Sequence, residues 1–212
     1  WTSDSKQILF QVISGSLEGP YRDVQPRLYS ATATDGRVAR WGNQFSGAIS
    51  GYAVRREGGV IVAGLVGTQT RLYSAARERD DFAGPRGWTG TYGPVSAASG
   101  ANRLAFVYTS LEKPPEVYVA DGWEDLDCAR PVTSFGHLFT ERALPRGKPY
   151  RWKADDGTTI EGMLIYPPGK FEEKNLRMLT LIHGGPADAD GDKFGEDWYD
   201  WAALAATQGW LV

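Results

Sequence analysis

The sequence has a single cysteine, Cys128, in 212 residues. One cysteine excludes an intrachain disulfide and a cysteine-based zinc site, and it leaves the compartment open; we favour a cytoplasmic over a secreted location. No apolar run approaches the ~20 residues that span a bilayer. The net charge of −3 gives no electrostatic reason to bind nucleic acid or an anionic membrane. We therefore expect a soluble chain that has neither of these partners.

The part of the chain before residue 146 repeats itself. Residues 27–31 (RLYSA) recur at 71–75, 44 residues later, and a looser copy (EVYVA) follows at 116–120. Another predicted strand precedes each copy, at residues 7–12, 59–65 and 103–109. Short strands and turns with a period of about 40–50 residues are typical of β-propeller blades. We predict about three blades, the first incomplete, with further blades before Trp1; an irregular β-sandwich is the alternative.

The pattern changes after residue 146. Residues 150–154 and 158–166 predict an antiparallel hairpin around the turn Asp155-Asp156-Gly157. The apolar run 178–182 predicts a strand. Apolar spacing within 197–207 predicts a helix that ends at Gly209 and leads into a buried strand at residues 209–212. This order matches the opening of an α/β-hydrolase sheet. We predict a partial β-propeller at residues 1–146 and the start of an α/β-hydrolase domain at residues 147–212.

The predicted strand 178–182 leads directly into His183-Gly184-Gly185-Pro186. A strand followed by such a turn is how α/β-hydrolases present backbone N–H groups to an oxyanion, because glycine has no Cβ to block the approach. We predict that Gly185 and Gly184 belong to an oxyanion hole, and that His183 and Pro186 support the turn. The alternatives are a plain turn without a catalytic role and, for His183 alone, proton transfer.

The catalytic triad is missing from the sequence. No Gly-x-Ser-x-Gly motif occurs, and only 26 residues follow Pro186. In α/β-hydrolases the nucleophile, the acid and the base all follow the oxyanion turn. We therefore expect this chain to be part of a longer protein, with its catalytic serine, aspartate and histidine after Val212.

Three stretches resemble the prolyl oligopeptidase family: residues 114–121 (PPEVYVAD), 150–162 (YRWKADDGTTIEG) and 183–186 (HGGP). The resemblance is greatest to its branch of acylaminoacyl peptidases and dipeptidyl peptidase V. It implies a propeller covering a hydrolase domain, with the N–H of Gly185 as one oxyanion donor. It also implies a serine peptidase that needs no cofactor or metal and cleaves short peptides near their N-terminus through an acyl-enzyme. A homo-oligomer is compatible with this resemblance.

Two other function classes remain at this point. A carboxylesterase or lipase also uses a His-Gly-Gly turn, although it usually has another glycine in place of Pro186 and lacks preceding blades. A non-catalytic propeller that binds a partner would explain residues 1–146 but would leave the His-Gly-Gly-Pro strand without a purpose.

Several further residues have structural explanations. Residues 188–192 (DADGD) lack the sixth-position glycine and twelfth-position acid of an EF-hand, so we expect a solvated acidic loop. We predict that His137 packs within its segment and that Cys128 is a buried or inert thiol. Trp41, Trp88 and Trp123 are expected to pack against their neighbours.

Overall fold

The computed structural model describes residues 1–13, 25–184, 189–195 and 201–212. The strands among these residues form largely antiparallel sheets, none of which closes into a barrel. The strands are β1 (Gln7–Ile13), β2 (Pro26–Thr32), β3 (Val38–Arg40), β4 (Ala48–Val54), β5 (Val60–Val66), β6 (Gln69–Ala75), β7 (Ala83–Arg86), β8 (Thr91–Ala97), β9 (Leu104–Ser110), β10 (Lys113–Ala120), β11 (Arg130–Pro131), β12 (Arg146–Lys153) and β13 (Thr159–Tyr166). The helices are α1 (His137–Thr140) and α2 (Ala202–Thr207), and no helix in the described ranges has the length and apolar character to cross a membrane.

The first eleven strands form three similar units, which we call unit 1 (β1–β3), unit 2 (β4–β7) and unit 3 (β8–β11). Within each unit, consecutive strands pair antiparallel. Units 2 and 3 are joined by one parallel bridge between Thr70 and Thr91. The three copies of the repeated sequence lie in β2, β6 and β10, the penultimate strand of each unit. The strands predicted before each copy are β1, β5 and β9.

The charged residue that begins each repeat has a common role. Arg27 donates hydrogen bonds to the carbonyl oxygens of Phe45 and Gly47, just before β4. Arg71 donates to the Gly87 carbonyl at 2.5 Å, just before β8. Glu116, in the third copy, instead accepts a hydrogen bond from the Gly136 N–H at 2.6 Å, after β11. Each side chain therefore fixes the connection by which the chain leaves its unit.

Two apolar clusters form the core of these units. One involves units 1 and 2 and contains Trp41, which is 3% exposed; the other joins units 2 and 3 and contains Trp123, which is 7% exposed. Trp88 is half-buried, with its ring 5.0 Å from that of Tyr108. The prediction that these three tryptophans pack against their neighbours is confirmed.

Residues 146–212 begin the second part of the fold. The predicted hairpin is confirmed as β12 and β13, although β12 begins four residues earlier than predicted. Ile165 of β13 exchanges two backbone hydrogen bonds with Val212, at 2.7 and 2.9 Å. Leu211 in turn forms a parallel bridge with Met178. The order across this sheet is thus β12, β13, residues 211–212 and residues 177–179.

Helix α2 connects the two parallel segments of this sheet. It begins at Ala202. Residues 197–200, the first part of the helix predicted at 197–207, lie outside the described residues. Gly209, whose φ is +87°, follows the helix and donates its N–H to the Ala206 carbonyl at 2.9 Å. A positive φ favours glycine, so the predicted helix-ending role of Gly209 is confirmed.

The prediction of a strand over residues 178–182 is wrong for its second half. Only Met178 forms a bridge, and Ile182 is 90% exposed. The opposing segment contributes only Leu211 and Val212 to the sheet. Residues 180–182 consequently have no strand opposite them within the described part of the chain.

Two side chains that the sequence analysis singled out lie at the surface. His137 is exposed at the start of α1, with its Nδ1 atom 3.0 Å from the Ser134 carbonyl oxygen. Cys128 is exposed at the end of a short 3₁₀ helix, Leu126–Cys128, in which Leu126 takes the buried position. The alternative that the Cys128 thiol is buried was wrong, because Leu126 faces the core instead, while the alternative that it is inert stays a prediction. His137 is exposed and contacts Ser134 of its own segment.

The contacts of β13 and α2 generate a prediction about residues 149–212. Leu111 of the β9–β10 hairpin covers Ile165 and Ala206, so a segment without Leu111 exposes these two side chains in addition to Met178 and Ile182. Residues 149–212 expressed alone should therefore aggregate or lack fixed side-chain packing, while the 212-residue chain stays in solution. Light scattering and near-ultraviolet circular dichroism measure both properties. A monomeric segment that unfolds cooperatively would contradict this account.

Candidate functional site

The segment before the predicted oxyanion turn is held on one side of the second sheet. Leu179 donates its N–H to the Leu211 carbonyl at 2.8 Å, and Leu211 donates to the Arg177 carbonyl at 2.9 Å. These bonds fix the chain four residues before His183. The short ladder therefore determines the direction in which the chain enters His183-Gly184.

The two described residues of the turn are exposed. The Nδ1 atom of His183 lies 2.6 Å from the Gly184 carbonyl oxygen, a contact with a loop carbonyl of the kind expected for a residue that supports the turn. A Cβ added at Gly184 would meet no heavy atom within 4 Å, so glycine is not required there by packing. Gly185 and Pro186 lie outside the described residues. The oxyanion role of Gly184 and Gly185 and the supporting role of His183 and Pro186 remain predictions.

The loop after the turn is attached to units 2 and 3. Asp192 donates its backbone N–H to the Thr68 carbonyl at 2.7 Å and accepts at its own carbonyl from the Thr91 hydroxyl at 2.8 Å. The N–H of Leu111 donates to the Asp192 carboxylate at 3.0 Å. Two residues later, Phe194 donates its N–H to the Thr109 hydroxyl at 3.1 Å. We call residues 189–195 the docked loop.

This docking corrects the prediction of a solvated acidic loop. Asp188 lies outside the described residues and Asp190 is exposed as predicted, but Asp192 is half-buried between the two parts of the molecule. Burial raises the pKa of the Asp192 carboxyl, the hydrogen bond from the Leu111 N–H opposes that rise, and the nearby charge of Glu112 adds to it. No group of three or more metal-ligating side chains occurs among the residues that the structure describes.

A second contact joins the hairpin β12–β13 to unit 2. The Glu161 carboxylate on β13 accepts a hydrogen bond from the Thr68 N–H at 2.9 Å and forms an ion pair with Arg151. Gly67, with a φ of +60°, lies against this carboxylate so closely that a Cβ would collide with it. The β5–β6 turn is thus shaped to accept Glu161 as well as Asp192.

A groove lies beside this contact. Its volume is about 590 Å³, and its lining consists of Val66, Thr68, Gln69, Pro149, Arg151 and Glu161. The sequence did not predict this groove, although Arg151 and Glu161 lie in the stretch 150–162 that carries the family resemblance. These residues come together only in the folded chain, where the β5–β6 turn of unit 2 lies beside the hairpin β12–β13.

Comparison with known proteins identifies the fold. No family model matches the chain, and no curated protein matches it. Among solved structures it is similar to an acylaminoacyl peptidase of Pyrococcus horikoshii, with a TM-score of 0.72 and 21% identity over 100% of this chain. It is also similar to a puromycin hydrolase, with a TM-score of 0.66 and 18% identity over 100% of this chain. A puromycin-hydrolyzing peptidase of Mycobacterium tuberculosis gives a TM-score of 0.65 and 14% identity over 89% of this chain.

This chain spans only about a third of the length of those structures, at 31%, 32% and 30%. Its fold is that of the corresponding part of these peptidases. The resemblance to acylaminoacyl peptidases is therefore confirmed at the level of fold, while the division into a partial propeller and an α/β-hydrolase domain stays a prediction. At these identities the similarity establishes fold and leaves activity to be argued from the site.

The raised pKa of Asp192 generates a prediction about stability. An acid whose folded-state pKa is raised stabilises the fold below its unfolded pKa and loses that contribution as pH rises through the folded value. At neutral pH the ionised carboxylate therefore carries a burial penalty. Asparagine retains an oxygen acceptor for the Leu111 N–H without the charge. Asp192→Asn should raise the Tm of the chain at neutral pH and leave it nearly unchanged in acid.

Thermal unfolding at both pH values, with Asp190→Asn as the control for an exposed acid in the same loop, measures this difference. If Asp192→Asn raised the Tm at neutral pH by no more than it does in acid, the assignment would be refuted.

Asp192→Ala should lower the free energy of unfolding by about 1–3 kcal/mol, because it leaves the buried Leu111 N–H without an acceptor.

Proposed function

We propose that this chain is part of a serine peptidase of the prolyl oligopeptidase family, with residues 1–146 contributing blades of a β-propeller and residues 147–212 opening an α/β-hydrolase domain. Units 2 and 3 have the four antiparallel strands of a propeller blade, which supports the first assignment. Unit 1, with three strands, would be an incomplete blade.

The order of the second sheet supports the hydrolase assignment. An antiparallel hairpin pairs through Ile165 with residue 212, and that segment runs parallel to the strand at Met178. Helix α2 makes the connection between the two parallel segments. A parallel pair joined by a helix is the repeating element of α/β sheets, and here the loop that leaves the Met178 strand carries the His-Gly-Gly-Pro turn.

One observation carries the proposal. The sequence His183-Gly184-Gly185-Pro186 follows the Met178 bridge in a chain whose entire length aligns with the fold of an acylaminoacyl peptidase. In an esterase the same turn would not come after strand units of this kind. A propeller that only binds a partner would not need a glycine pair after the sheet.

The proposed reaction is acyl transfer from a short peptide, near its N-terminus, to a serine. The serine oxygen attacks the carbonyl carbon, its proton passes to a histidine base, and the C=O electron pair moves onto the carbonyl oxygen. The Gly185 N–H donates to that oxyanion. The C–N bond then breaks, the amine leaves with the proton from the histidine, and water hydrolyses the acyl-enzyme. The serine, acid and base would belong to the part of such a protein that this chain does not include.

The proposal predicts the effect of a side chain at Gly185. In the longer protein, Gly185→Val should lower kcat by a factor of at least ~10², since one oxyanion donor contributes about 3–4 kcal/mol to transition-state stabilisation. The measurement is kcat per active site, with sites counted by stoichiometric reaction with a fluorophosphonate. Gly100→Val is the control, because Gly100 is exposed and a Cβ there would meet no atom within 4 Å.

Normal turnover per titrated site in Gly185→Val would leave Gly185 a structural glycine. Loss of folded protein together with unchanged turnover would lead to the same conclusion.

The 212-residue chain by itself should not react with a fluorophosphonate. Oxyanion donors without a nucleophile and its base cannot form a covalent adduct. Intact mass spectrometry after prolonged incubation measures this directly. Stoichiometric modification of any serine in the chain would place the nucleophile within residues 1–212 and overturn the proposal.

A further inference from the structure

We propose that the groove between the β5–β6 turn and the hairpin β12–β13 binds the terminal carboxylate of a short peptide, with the Arg151 guanidinium as its main contact. The choice of a peptide as the ligand rests on the proposed function, whereas the carboxylate site rests on the groove itself. Every residue that lines the groove belongs to the described part of the chain, and none belongs to the predicted oxyanion turn.

The groove has the size and the lining of a site for a small ligand. Its volume of about 590 Å³ lies within the range of about 300–1,000 Å³ that is typical of ligand pockets. Val66 and Pro149 supply apolar surface, while Gln69, Arg151 and Glu161 supply polar groups. Apolar walls with a few polar groups suit a ligand that has both kinds of surface, such as the end of a peptide.

The register of the hairpin directs Arg151 toward the groove. Pro149 and Arg151 are two residues apart on β12, so their side chains lie on the same face of the hairpin. Glu161 is directly opposite Arg151 on β13 and shares this face. Because all three line the groove, this face is the one that is turned toward the β5–β6 turn.

Glu161 fixes the position of the guanidinium. Its Oε1 atom accepts the Thr68 N–H at 2.9 Å, and its Oε2 atom pairs with Nε of Arg151. The Glu161 side chain is 18% exposed, so its carboxylate is held by the surrounding fold. The ion pair between Nε of Arg103 and Asp121 differs, because there the acid is 67% exposed and is not held in this way.

The Nη groups of Arg151 are left for a ligand. The ion pair with Glu161 uses Nε, and no hydrogen bond joins the Nη atoms to any residue that the structure describes. The Arg151 side chain is 71% exposed, so a ligand in the groove can reach these groups. Two Nη groups can donate in parallel to the two oxygens of a carboxylate, and such a bidentate pair is stronger than a neutral hydrogen bond. A carboxylate therefore fits this position better than an amide does.

The other walls of the groove define the rest of the ligand. Val66 is a half-exposed apolar side chain and, with Pro149, offers a surface for an apolar side chain of the ligand. The Gln69 amide can both donate to and accept from a peptide group. We therefore expect a preference for a peptide that ends in an apolar residue with a free carboxylate.

The test is a nuclear magnetic resonance titration of the ¹⁵N-labelled 212-residue chain with N-acetyl-alanyl-leucine and with its C-terminal amide. The free acid should shift the Nε–H signal of Arg151 and the backbone signals of residues 66–69. It should bind at least ~10-fold more tightly than the amide, because only the acid forms the charged bidentate pair. Equal affinities of acid and amide, or shifts confined to other residues, would overturn the proposal.

Variants of two arginines show whether the guanidinium in the groove is responsible. Arg151→Met should weaken binding of the acid at least ~10-fold. Arg103→Met is the matched control, because it removes an exposed arginine that has the same kind of Nε ion pair outside the groove. It should leave the affinity unchanged. Unchanged affinity in Arg151→Met, or an equal loss in Arg103→Met, would contradict the assignment.

Arg151→Lys provides a second variant in case Arg151→Met does not fold. It keeps the positive charge and removes the planar pair of Nη donors, so we expect the affinity for the acid to fall by a factor of ~3 or more. An affinity equal to that of the unchanged chain would show that bidentate recognition by Arg151 is wrong.

Calorimetry on the longer protein separates this site from the proposed function. The protein is first treated with a fluorophosphonate and then titrated with the peptide acid. Absence of labelling would contradict the peptidase function, whereas binding that depends on Arg151 would still support the carboxylate site. A labelled protein that does not bind the acid would show that other residues close the groove, and this result would overturn the proposal.

Discussion

Leu111, in the turn between β9 and β10, connects the two parts of the molecule through both its side chain and its backbone. Its side chain packs on Ile165 and Ala206, and its N–H donates to Asp192. A Cβ at Gly147 would collide with its side chain, so β12 can approach only because glycine stands there. Apolar packing and a buried hydrogen bond thus fix the same residue from two sides. The placement of the second sheet, the docked loop and the segment leading to His183 all depend on that contact.

A different interaction, a hydrogen bond between a side chain and the backbone, recurs at the connections that leave the three strand units. Arg27 and Arg71 each donate to carbonyl groups in the connection to the next unit, and Glu116 accepts from an N–H in the corresponding connection. The charge has changed sign, yet the side chain still satisfies the backbone of the departing segment. The residue at this position of the repeat can therefore change from arginine to glutamate and still bond to the connection, because a backbone offers both donors and acceptors.

The local pattern of the chain was enough to predict strands β1, β2, β5, β6, β9 and β10, the β12–β13 hairpin and the end of α2. Alternating apolar residues and the glycine at 209 act through short-range geometry, which the sequence displays directly. The docked loop could not be predicted, because Asp192 resembles its exposed neighbour Asp190 until Leu111 and Thr68 are brought against it. The groove beside Glu161 was missed for the same reason. The strand after Met178 was overestimated, since an apolar run forms a strand only where a partner strand lies opposite it.

The central claim is that the turn after the Met178 bridge stabilises an oxyanion. The most direct measurement is a crystal structure of the longer protein carrying a phosphonate on its nucleophile, since the phosphoryl oxygen takes the place of the carbonyl oxygen in the tetrahedral intermediate. The account predicts that this oxygen lies about 2.7–3.1 Å from the backbone nitrogen of Gly185. A phosphoryl oxygen bound by other donors, with the Gly185 N–H directed away from it, would contradict the account.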